Sequence, residues 1–251
     1  MRAIILAAGL GWRLGGGQEQ PPKCLLRFDG QSLLERHLLA LEAVGVSELF
    51  IGVGYRAQAI REELAGRGAG HPVHTVYNPH FREGNVVTLH VLAEALLAGG
   101  DVLLMDADVL YHQEVLERLV SSRHRNCFAM DRELEPGEEP VKLCVSAGRL
   151  VAFGKQIPPG VDYDTCGESV GFFRLHETMA ARLARSVEGY VQRGEREAFY
   201  EDAVRDLLLE SPDDFGYEDV TGIPWIEIDF QADIERAERE VMAHIRAREA
   251  A

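Results

Sequence analysis

Short apolar runs alternate with segments of helical periodicity through the first half of the chain. Strands are predicted for the runs AIILAA, ELFIGVG, PVHTVYN and DVLLMDADV, because strands covered by helices on both faces are largely apolar. Apolar residues recur at three- or four-residue spacing in the other segments, which predicts helices over LLERHLLALEAV, RAQAIREELA, NVVTLHVLAEALLAG and HQEVLERLVSS. This order predicts the α/β class, with a mainly parallel sheet and helices on both of its faces.

Two shorter signals precede the first predicted helix. The run LLRF, followed by Asp29-Gly30, predicts a short strand and a turn. Ser32 and Glu35 have the spacing of a capping box, which predicts that the helix begins directly after Ser32.

The pattern changes near residue 125. Strands are predicted for NCFAMD, VKLCVSAGRLVAFGK and ESVGFFRL, with Ala147-Gly148 as a hairpin turn inside the second of these segments. Two predicted helices follow, HETMAARLARSVEGYVQRG and REAFYEDAVRDLLLE. The chain closes with a predicted strand, WIEIDF, and a predicted helix, QADIERAEREVMAHIRA. The segment ELEPGEEP, residues 133–140, predicts an exposed loop.

The first predicted strand runs into the glycine-rich segment AAGLGWRLGGG. Ligands of open α/β sheets bind at the carboxyl ends of strands, and Gly9 and Gly11 allow backbone N–H groups to approach an anion closely. Arg13 and Lys23 add two cationic donors of the kind that bind phosphate. Neither G-x-x-x-x-G-K-[ST] nor G-x-G-x-x-G is present. The segment therefore predicts a nucleotide-phosphate loop, with a flexible glycine turn as the alternative.

The overall charge disfavours a broad nucleic-acid-binding surface. The 251 residues include 26 basic and 41 acidic side chains, which gives a net charge of −15. The four cysteines lack the spacing of a zinc site and predict free thiols in a reducing compartment. The N-terminal apolar run is too short for a membrane span and is a poor signal peptide. We therefore expect a cytoplasmic protein that neither binds nucleic acid nor inserts into a membrane.

The segment ILAAGLGWRLGG…PPKCLL resembles the signature of nucleotidyltransferases of the sugar-nucleotide pyrophosphorylase type, L-A-A-G-x-G-x-R-[LM] followed by P-K. The resemblance continues through ALEAVGVSELFIGVGYRAQAI, MDADV and WIEIDF, and so covers nearly the whole chain. It implies a Rossmann-like, GT-A-like three-layer α/β/α fold with a mixed, mainly parallel sheet. One domain over residues 1–251 is expected, with a nucleotide-binding half (1–125) and an acceptor-binding half (126–251).

The same resemblance implies the reaction. A phosphate oxygen of an acceptor attacks the α-phosphorus of a nucleoside triphosphate, and pyrophosphate leaves without a covalent enzyme intermediate. Arg13 and Lys23 then neutralise charge around the α-phosphate. Lys155 matches a lysine that faces the acceptor phosphate in related enzymes, whereas the alternative for Lys155 is a solvated lysine at a strand end.

Carboxylates end two of the predicted strands. Asp106 and Asp108 in MDADV, and Glu227 and Asp229 in WIEIDF, stand two residues apart and are predicted to share one side of the pleat. Carboxylate oxygens are the ligands that Mg²⁺ prefers. By resemblance Asp108 and Asp229 bind Mg²⁺, while Asp106 and Glu227 lie around the metal or near the ribose. The alternative for each is an N-cap or turn residue.

The segment YNPHFREGNVVTLH bears on the choice of nucleotide. It departs from the glutamine-proline-x-glycine stretch of hexose-phosphate enzymes and looks closer to phosphocholine and inositol-phosphate cytidylyltransferases. CTP is therefore the expected nucleotide by resemblance, with UTP or dTTP behind it. The expected nucleotide-binding residues are Leu6, Ala7, Ala8, Gly9, Gly11, Asn85, Thr88 and Asp106. Asn85 as an N-cap and Thr88 as an ordinary helix residue remain the alternatives.

The acceptor pocket is expected from the second half. The segment DYDTCGESVGFFRL, residues 200–202 and Trp225 bring together aromatic rings and carboxylates. Such groups suit a cationic amine, which favours phosphocholine or an aminoalkyl phosphonate, and they could also bind the hydroxyls of inositol 1-phosphate. Glu168 and Trp225 are the acceptor-binding candidates, with core aromatics and solvated acids as the alternative.

Two other functions stay open. A sugar-1-phosphate nucleotidyltransferase using UTP, dTTP or GTP would share the fold. A non-catalytic, nucleotide-binding regulatory subunit is more remote, because the chain keeps Arg13, Lys23, Asp108 and Asp229. The expected partners are the nucleotide and a small phosphorylated acceptor, and a homodimer is one alternative for the oligomeric state.

Overall fold

The computed structural model describes residues 1–15, 20–66, 70–134 and 140–250. Most of the predicted loop ELEPGEEP, and Gly16 and Gly17 of the glycine-rich segment, lie outside these residues. The strands are β1 (Arg2–Ala7), β2 (Arg27–Phe28), β3 (Gln31–Ser32), β4 (Glu48–Val53), β5 (Val73–Tyr77), β6 (Val102–Asp106), β7 (Val109–Tyr111), β8 (Asn126–Asp131), β9 (Lys142–Ser146), β10 (Arg149–Gly154), β11 (Thr165–Leu175), β12 (Phe215–Asp219) and β13 (Trp225–Glu227). The helices are α1 (Leu33–Ala43), α2 (Ala57–Gly66), α3 (Asn85–Val91), α4 (Ala93–Leu97), α5 (Glu114–Ser121), α6 (Glu177–Gln192), α7 (Tyr200–Glu210), α8 (Gln231–Arg236) and α9 (Met242–Glu249).

One large sheet organises the described chain, with the strand order β10-β9-β11-β6-β1-β4-β5. Within it β1 runs parallel to both β4 and β6, and β4 runs parallel to β5. Leu6 is opposite Gly52 on one side and Asp106 on the other. The carboxyl ends of β1, β4 and β6 therefore meet at one edge, where ligands of such sheets bind.

β11 joins the two halves of the chain in this sheet. Its first residues, Thr165–Glu168, pair antiparallel with β9, and its last residues, Phe172–Leu175, pair antiparallel with β6. β8 pairs antiparallel with β11, and β12 continues from β8 in parallel. The predicted mixed, mainly parallel α/β architecture is confirmed, and the antiparallel strands come from the second half.

Helices cover both faces of the sheet. α3, α4, α6 and α7 lie on one face, over a core that includes Phe128, Phe153, Phe173 and Tyr200. The other core contains side chains of α1, α2 and α5 packed against Ile5, Ile51 and Met105. Ile226, Ile228 and residues of the C-terminal helical segment form a third, smaller core with Leu33.

Several predicted elements agree with the structure. Ser32 caps α1, because its Oγ accepts a hydrogen bond from Glu35 N at 3.1 Å while Glu35 Oε2 accepts one from Ser32 N at 2.8 Å. The hairpin between β9 and β10 turns at Ala147 and Gly148, whose φ angles are +48° and +78°. No helix among the described residues is long and apolar enough to span a membrane.

Other elements differ from prediction. The helix predicted over 85–99 is interrupted at Leu92, whose N–H bonds to Leu89 O at 3.1 Å. Thr88 and Leu92 pack against Gly52, where a Cβ atom would lie 2.7 Å from Thr88 Cγ2, so the close approach to β4 overrides the helical pattern. The predicted C-terminal helix carries a π-helical segment, Ala237–Val241, between α8 and α9.

Candidate active site

A cleft of about 340 Å³ opens at the carboxyl ends of β1 and β6. The residues predicted to bind nucleotide or to act on it all line this cleft: Leu6, Ala7, Ala8, Gly9, Gly11, Arg13, Lys23, Asn85, Thr88, Asp106, Asp108, Lys155 and Asp229. The structure thus brings together residues from both halves of the chain. Their individual roles remain predictions.

The glycine-rich loop forms one wall of the cleft. Gly11 has a φ of +61° and precedes a single 3₁₀ turn, Trp12–Leu14, which Leu14 N closes by donating to Gly11 O at 3.1 Å. A Cβ atom on Gly11 would lie 3.0 Å from Lys23 Cγ. Glycine is therefore required here both for the backbone conformation and for the close approach of the Lys23 stem.

Lys23 bridges the two acids predicted to bind metal. Its Nζ lies 2.7 Å from Asp108 Oδ2 and 2.6 Å from Asp229 Oδ1. Burial alone would lower the pKa of Lys23, but the carboxylates of Asp108 and Asp229 outweigh burial and raise it. Lys23 is thus a permanent cation in the cleft.

Asp229 also pairs with the loop arginine. Arg13 Nη1 lies 3.1 Å from Asp229 Oδ2, and its guanidinium carbon lies 5.9 Å from the centre of the Phe230 ring. Burial would raise the pKa of Asp229, but Lys23 and Arg13 outweigh it and lower the pKa. Asp229 is therefore ionised in the folded protein.

The acids of the cleft have the chemistry of a divalent cation site. Asp108, Glu227 and Asp229 each offer an oxygen, and these three atoms lie within 4.8 Å of one another. Glu227 is exposed as a whole residue, although its carboxylate lies among the protein groups of the cleft. The resulting loss of hydration, followed by repulsion from Asp108 and Asp229, raises the pKa of Glu227 well above its usual value. An all-oxygen, negatively charged donor set fits Mg²⁺.

Asp108 reaches this cluster differently from the predicted way. β6 ends at Asp106, and Asp108 lies in the connection between β6 and β7 rather than on the same strand. β7 instead pairs antiparallel with β13 in a two-stranded sheet, and Ile228 N donates to Asp108 O at 3.0 Å. This small sheet is what places Asp108 beside Glu227 and Asp229.

Asp106 lies deeper and contacts the second half of the chain. Its Oδ2 accepts a hydrogen bond from the Tyr200 hydroxyl at 2.9 Å. Gly171 of β11 has a φ of +78°, and a Cβ atom there would lie 2.3 Å from Asp106 Oδ2. Burial, followed by repulsion from Glu201 and Asp108, raises the pKa of Asp106 well above its usual value. Asp106 is therefore held within the floor of the cleft.

Asn85 ties the start of α3 to the start of α7. Its Oδ1 accepts a hydrogen bond from Tyr200 N at 2.7 Å, and its Nδ2 donates to Glu201 Oε2 at 3.4 Å. Burial raises the pKa of Glu201 to about 7. Thr88, one turn further along α3, accepts a hydrogen bond from Asn78 Nδ2 at 3.0 Å and is buried.

A second cavity adjoins the cleft and contains the two predicted acceptor residues, Glu168 and Trp225. Trp225 Nε1 donates a 2.7 Å hydrogen bond to Asp131 Oδ2, which orients the indole ring. The cavity is rich in acids, since Asp131, Glu133, Glu168, Glu227, Asp229 and Asp233 line it together with Trp225, Phe230, Arg236 and His244. Glu227 and Asp229 line both the cleft and the second cavity.

Comparison with known proteins identifies the family. Residues 3–156 match the model of the MobA-like NTP transferase domain, which is more than half of the chain. The chain belongs to this family.

Two relatives of this NTP transferase chain have a cytidine nucleotide in their names. The chain is 30% identical over 241 residues to a CMP-5'-(3-aminopropyl)phosphonate synthase of Streptomyces rubellomurinus, and the match covers 95% of this chain and 38% of that protein. It is 23% identical over 255 residues to a CTP:phosphoglutamine cytidylyltransferase of Campylobacter jejuni, covering 94% of this chain and 98% of that protein. The chain thus spans about two fifths of the Streptomyces relative and nearly all of the Campylobacter one.

A solved structure supports the NTP transferase fold. The inositol-1-phosphate CTP transferase from T. maritima superposes with a TM-score of 0.77 at 22% identity, covering 98% of this chain and 96% of that one. The resemblance to nucleotidyltransferases and the Rossmann-like fold are both confirmed.

Some residues of the cleft and of the second cavity were not predicted from the sequence. Asp131 ends a fully buried strand, so it looked like a strand residue rather than a partner of Trp225. Gly171 sits inside β11, where an isolated glycine is the sequence signal for a close backbone approach. Tyr200 and Glu201, expected near the acceptor pocket, line the cleft and not the second cavity, and their roles remain predictions. Asp164 accepts a hydrogen bond from Ala147 N and, with Asp162 and Tyr163, lines neither cavity.

Proposed function

We propose that this protein transfers a cytidylyl group from CTP to a small phosphonate or phosphate ester that carries a cationic amine, and releases pyrophosphate. The observation that carries the proposal is the adjacency of two different sites. A cleft with the glycine loop, Arg13 and Lys23 suits a triphosphate, and an acid-rich cavity with Trp225 suits an amine. The cytidine nucleotides in the names of the Streptomyces and Campylobacter relatives support CTP.

The chain's own residues divide the work of this transfer. An oxygen of the acceptor's phosphorus group attacks the α-phosphorus, a new P–O bond forms, and the bond to the pyrophosphate oxygen breaks. Lys23 and Arg13 neutralise charge that moves onto the α-phosphate and pyrophosphate oxygens. Lys155 binds the acceptor's phosphorus group, and Phe199 supports it, since Lys155 Nζ lies 5.5 Å from the centre of that ring.

Asp108, Glu227 and Asp229 are the residues that would hold Mg²⁺. When bound, the ion would neutralise triphosphate charge and polarise the α-phosphoryl group. Lys23 now occupies the space beside two of these acids and would move toward the phosphate oxygens. Mn²⁺ titration followed by electron paramagnetic resonance tests this set without activity. Asp108→Asn should weaken Mn²⁺ binding at least about tenfold, whereas unchanged binding would contradict the assignment.

The amine-bearing end of the acceptor is expected in the second cavity. Glu168, Asp131 and Trp225 present two carboxylates and an aromatic face there. Because a cation beside a partly desolvated carboxylate and an indole is favoured by about 1–3 kcal/mol, an acceptor without the amine should bind much more weakly. The carboxylates and the indole of the second cavity therefore favour aminoalkyl phosphonates and phosphocholine over inositol phosphate.

The test is pyrophosphate release with Mg²⁺ across CTP, UTP, dTTP and GTP. Each nucleotide is paired with 2-aminoethylphosphonate, phosphocholine, inositol 1-phosphate and glucose 1-phosphate. Ethylphosphonate serves as the matched acceptor that lacks only the amine, and Asp108→Asn controls for contaminating enzymes. We expect release with CTP and an amine-bearing acceptor, and at least about tenfold lower kcat/KM with ethylphosphonate. Release only with UTP or dTTP and glucose 1-phosphate would overturn the proposal.

A further inference from the structure

Two of the four cysteines face each other across neighbouring strands. Cys144 of β9 is directly opposite Cys166 of β11, and their Sγ atoms lie 3.2 Å apart. All four cysteines are free thiols in this structure. Neither cysteine lines the cleft or the second cavity, so this proposal does not rest on the proposed cytidylyl transfer.

The strand pairing places these thiols where side chains come closest. Ser169 N donates to Val141 O at 2.8 Å, so that pair is hydrogen-bonded. Hydrogen-bonded and non-hydrogen-bonded pairs alternate along antiparallel strands, which makes Cys144 and Cys166 a non-hydrogen-bonded pair. Such pairs have Cα atoms about 4.5 Å apart, within the range that a disulfide spans.

Solvent reaches only one thiol of the pair. Cys144 is fully buried, whereas Cys166 is partly exposed at the surface of β11. Burial raises the pKa of the Cys144 thiol to about 12, so Cys144 is protonated at neutral pH and Cys166 is the thiol that an oxidant reaches first. Cys24 and Cys127 are buried elsewhere.

We propose that Cys144 and Cys166 form a reversible dithiol site that closes to a cross-strand disulfide when a low-molecular-weight disulfide is the oxidant. The Cys166 thiolate attacks one sulfur of the oxidant, forms a mixed disulfide and releases one small thiol. Cys144 then gives up its proton and attacks the Cys166 sulfur, which forms the protein disulfide and releases the second small thiol. Two protein thiols are oxidised, and one small disulfide is reduced to two thiols.

Strand β11 carries both a cysteine of this site and a residue that lines the second cavity. Cys166 and Glu168 stand two residues apart in β11, so their side chains are on the same face. Cys144 and Lys142 occupy the opposite positions in β9. Closing the disulfide would therefore fix the two strands directly beside the residue pair Lys142 and Glu168.

The experiment incubates the reduced, full-length protein in glutathione buffers of increasing oxidised fraction. Free thiols are counted under denaturing conditions, and the linked peptides are identified by mass spectrometry. We expect the count to fall from four to two in a single transition, with a protein mass lower by two hydrogen atoms and Cys144 linked to Cys166. Addition of dithiothreitol should restore all four thiols.

Matched variants make the result specific. Cys127→Ser, which removes a buried thiol outside the pair, should still form the disulfide. Cys166→Ser and Cys144→Ser should each lack it. Glutathione attached to Cys166 with Cys144 still reduced, a disulfide between two protein molecules, or no loss of thiols would each overturn the proposal.

Discussion

Lys23 Nζ lies 2.6 Å from Asp229 Oδ1, although 206 positions separate the two residues in the chain. This contact joins the glycine-rich loop at one end of the chain to the segment after β13 at the other. It also places the lysine between two acids that would otherwise repel each other.

Replacing Lys23 by methionine should abolish most activity without unfolding the protein. The variant keeps the length of the side chain but removes the cation that faces the phosphates, and loss of one such electrostatic contact lowers kcat by about 10²–10³. Steady-state kinetics with CTP and the best acceptor measures the effect. Arg239→Met, which removes a cation from an exposed ion pair in the C-terminal segment, should leave kcat unchanged. Near-normal turnover in Lys23→Met would show that the lysine is not catalytic.

Gly171→Ala should destabilise the protein much more than Gly148→Ala. Both glycines have a φ of +78°, but a Cβ atom at 148 meets open space and one at 171 meets Asp106 Oδ2. Backbone strain alone costs about 1–2 kcal/mol, and overpacking against Asp106 adds about 1–3 kcal/mol. Urea denaturation of the two variants measures the difference. Equal losses of stability would mean that β11 does not press against the cleft floor as described.

Glu201→Gln should change how stability depends on pH. The folded-state pKa of Glu201 is raised from 4.5 to about 7, so the unfolded chain releases this proton at lower pH than the folded protein does. The contribution of protonated Glu201 to the free energy of unfolding is fully present below pH 4.5 and is lost as the pH rises to about 7. Glutamine cannot ionise, so the variant should be more stable than the parent by about 1–3 kcal/mol at pH 8 and similar to it at pH 4.5.

Urea denaturation of Glu201→Gln at both pH values, with a chelator present, checks this expectation. Glu62→Gln, a change on the exposed face of α2, is the control and should follow the parent. A stability difference that is the same at both pH values would contradict the assigned pKa.

Trp225→Phe should weaken acceptor binding selectively. Phenylalanine keeps an aromatic ring but loses the N–H that donates to Asp131 Oδ2, so this oxygen loses its indole partner and the ring loses the contact that orients it. We expect the KM of the amine-bearing acceptor to rise about tenfold and the KM of CTP to change less than about twofold. Tyr163→Phe, at an aromatic residue that lines neither cavity, should change neither constant. An equal rise in both KM values would place Trp225 in the nucleotide cleft instead.

The hydrophobic pattern predicted the main strands and helices well. The strands of the large sheet are buried on both faces and so are largely apolar, whereas the helices bury one face and so show helical periodicity. Continuous apolar runs located β1, β4 and β6, and a capping box located the start of α1. β12 (FGYED) was missed, because its partly exposed, acidic residues show no strand pattern and it depends on pairing with β8. The break at Leu92 was missed because contact with Gly52 is a tertiary effect.

The residues of the candidate site also fall into two groups, those carried by a local sequence motif and those placed by contacts between distant parts of the chain. Residues carried by a local motif, such as Gly11, Arg13 and Lys23, could be named from the sequence, and the structure brings them to one cleft. Asp131 and Gly171 depend on partners that are distant in the chain, and no local signal links Asp131 to Trp225. Asp106 and Asp108 were predicted to share one side of a strand, but the placement of Asp108 depends on the pairing of β7 with β13, which alternation in MDADV does not reveal.

The shared wall between the cleft and the second cavity has a consequence for how such enzymes can diversify. Trp225 and Glu168 line the second cavity and not the cleft. If the second cavity holds the acceptor, as proposed, substitutions there should change acceptor preference and leave the proposed triphosphate contacts intact. Glu227 and Asp229 line both the cleft and the second cavity, so a substitution at either residue would alter both. On the proposed function, new acceptor specificities would therefore arise from a few changes around the second cavity while the cleft stays fixed, and libraries randomised at positions 131, 168 and 225 are the place to search for them.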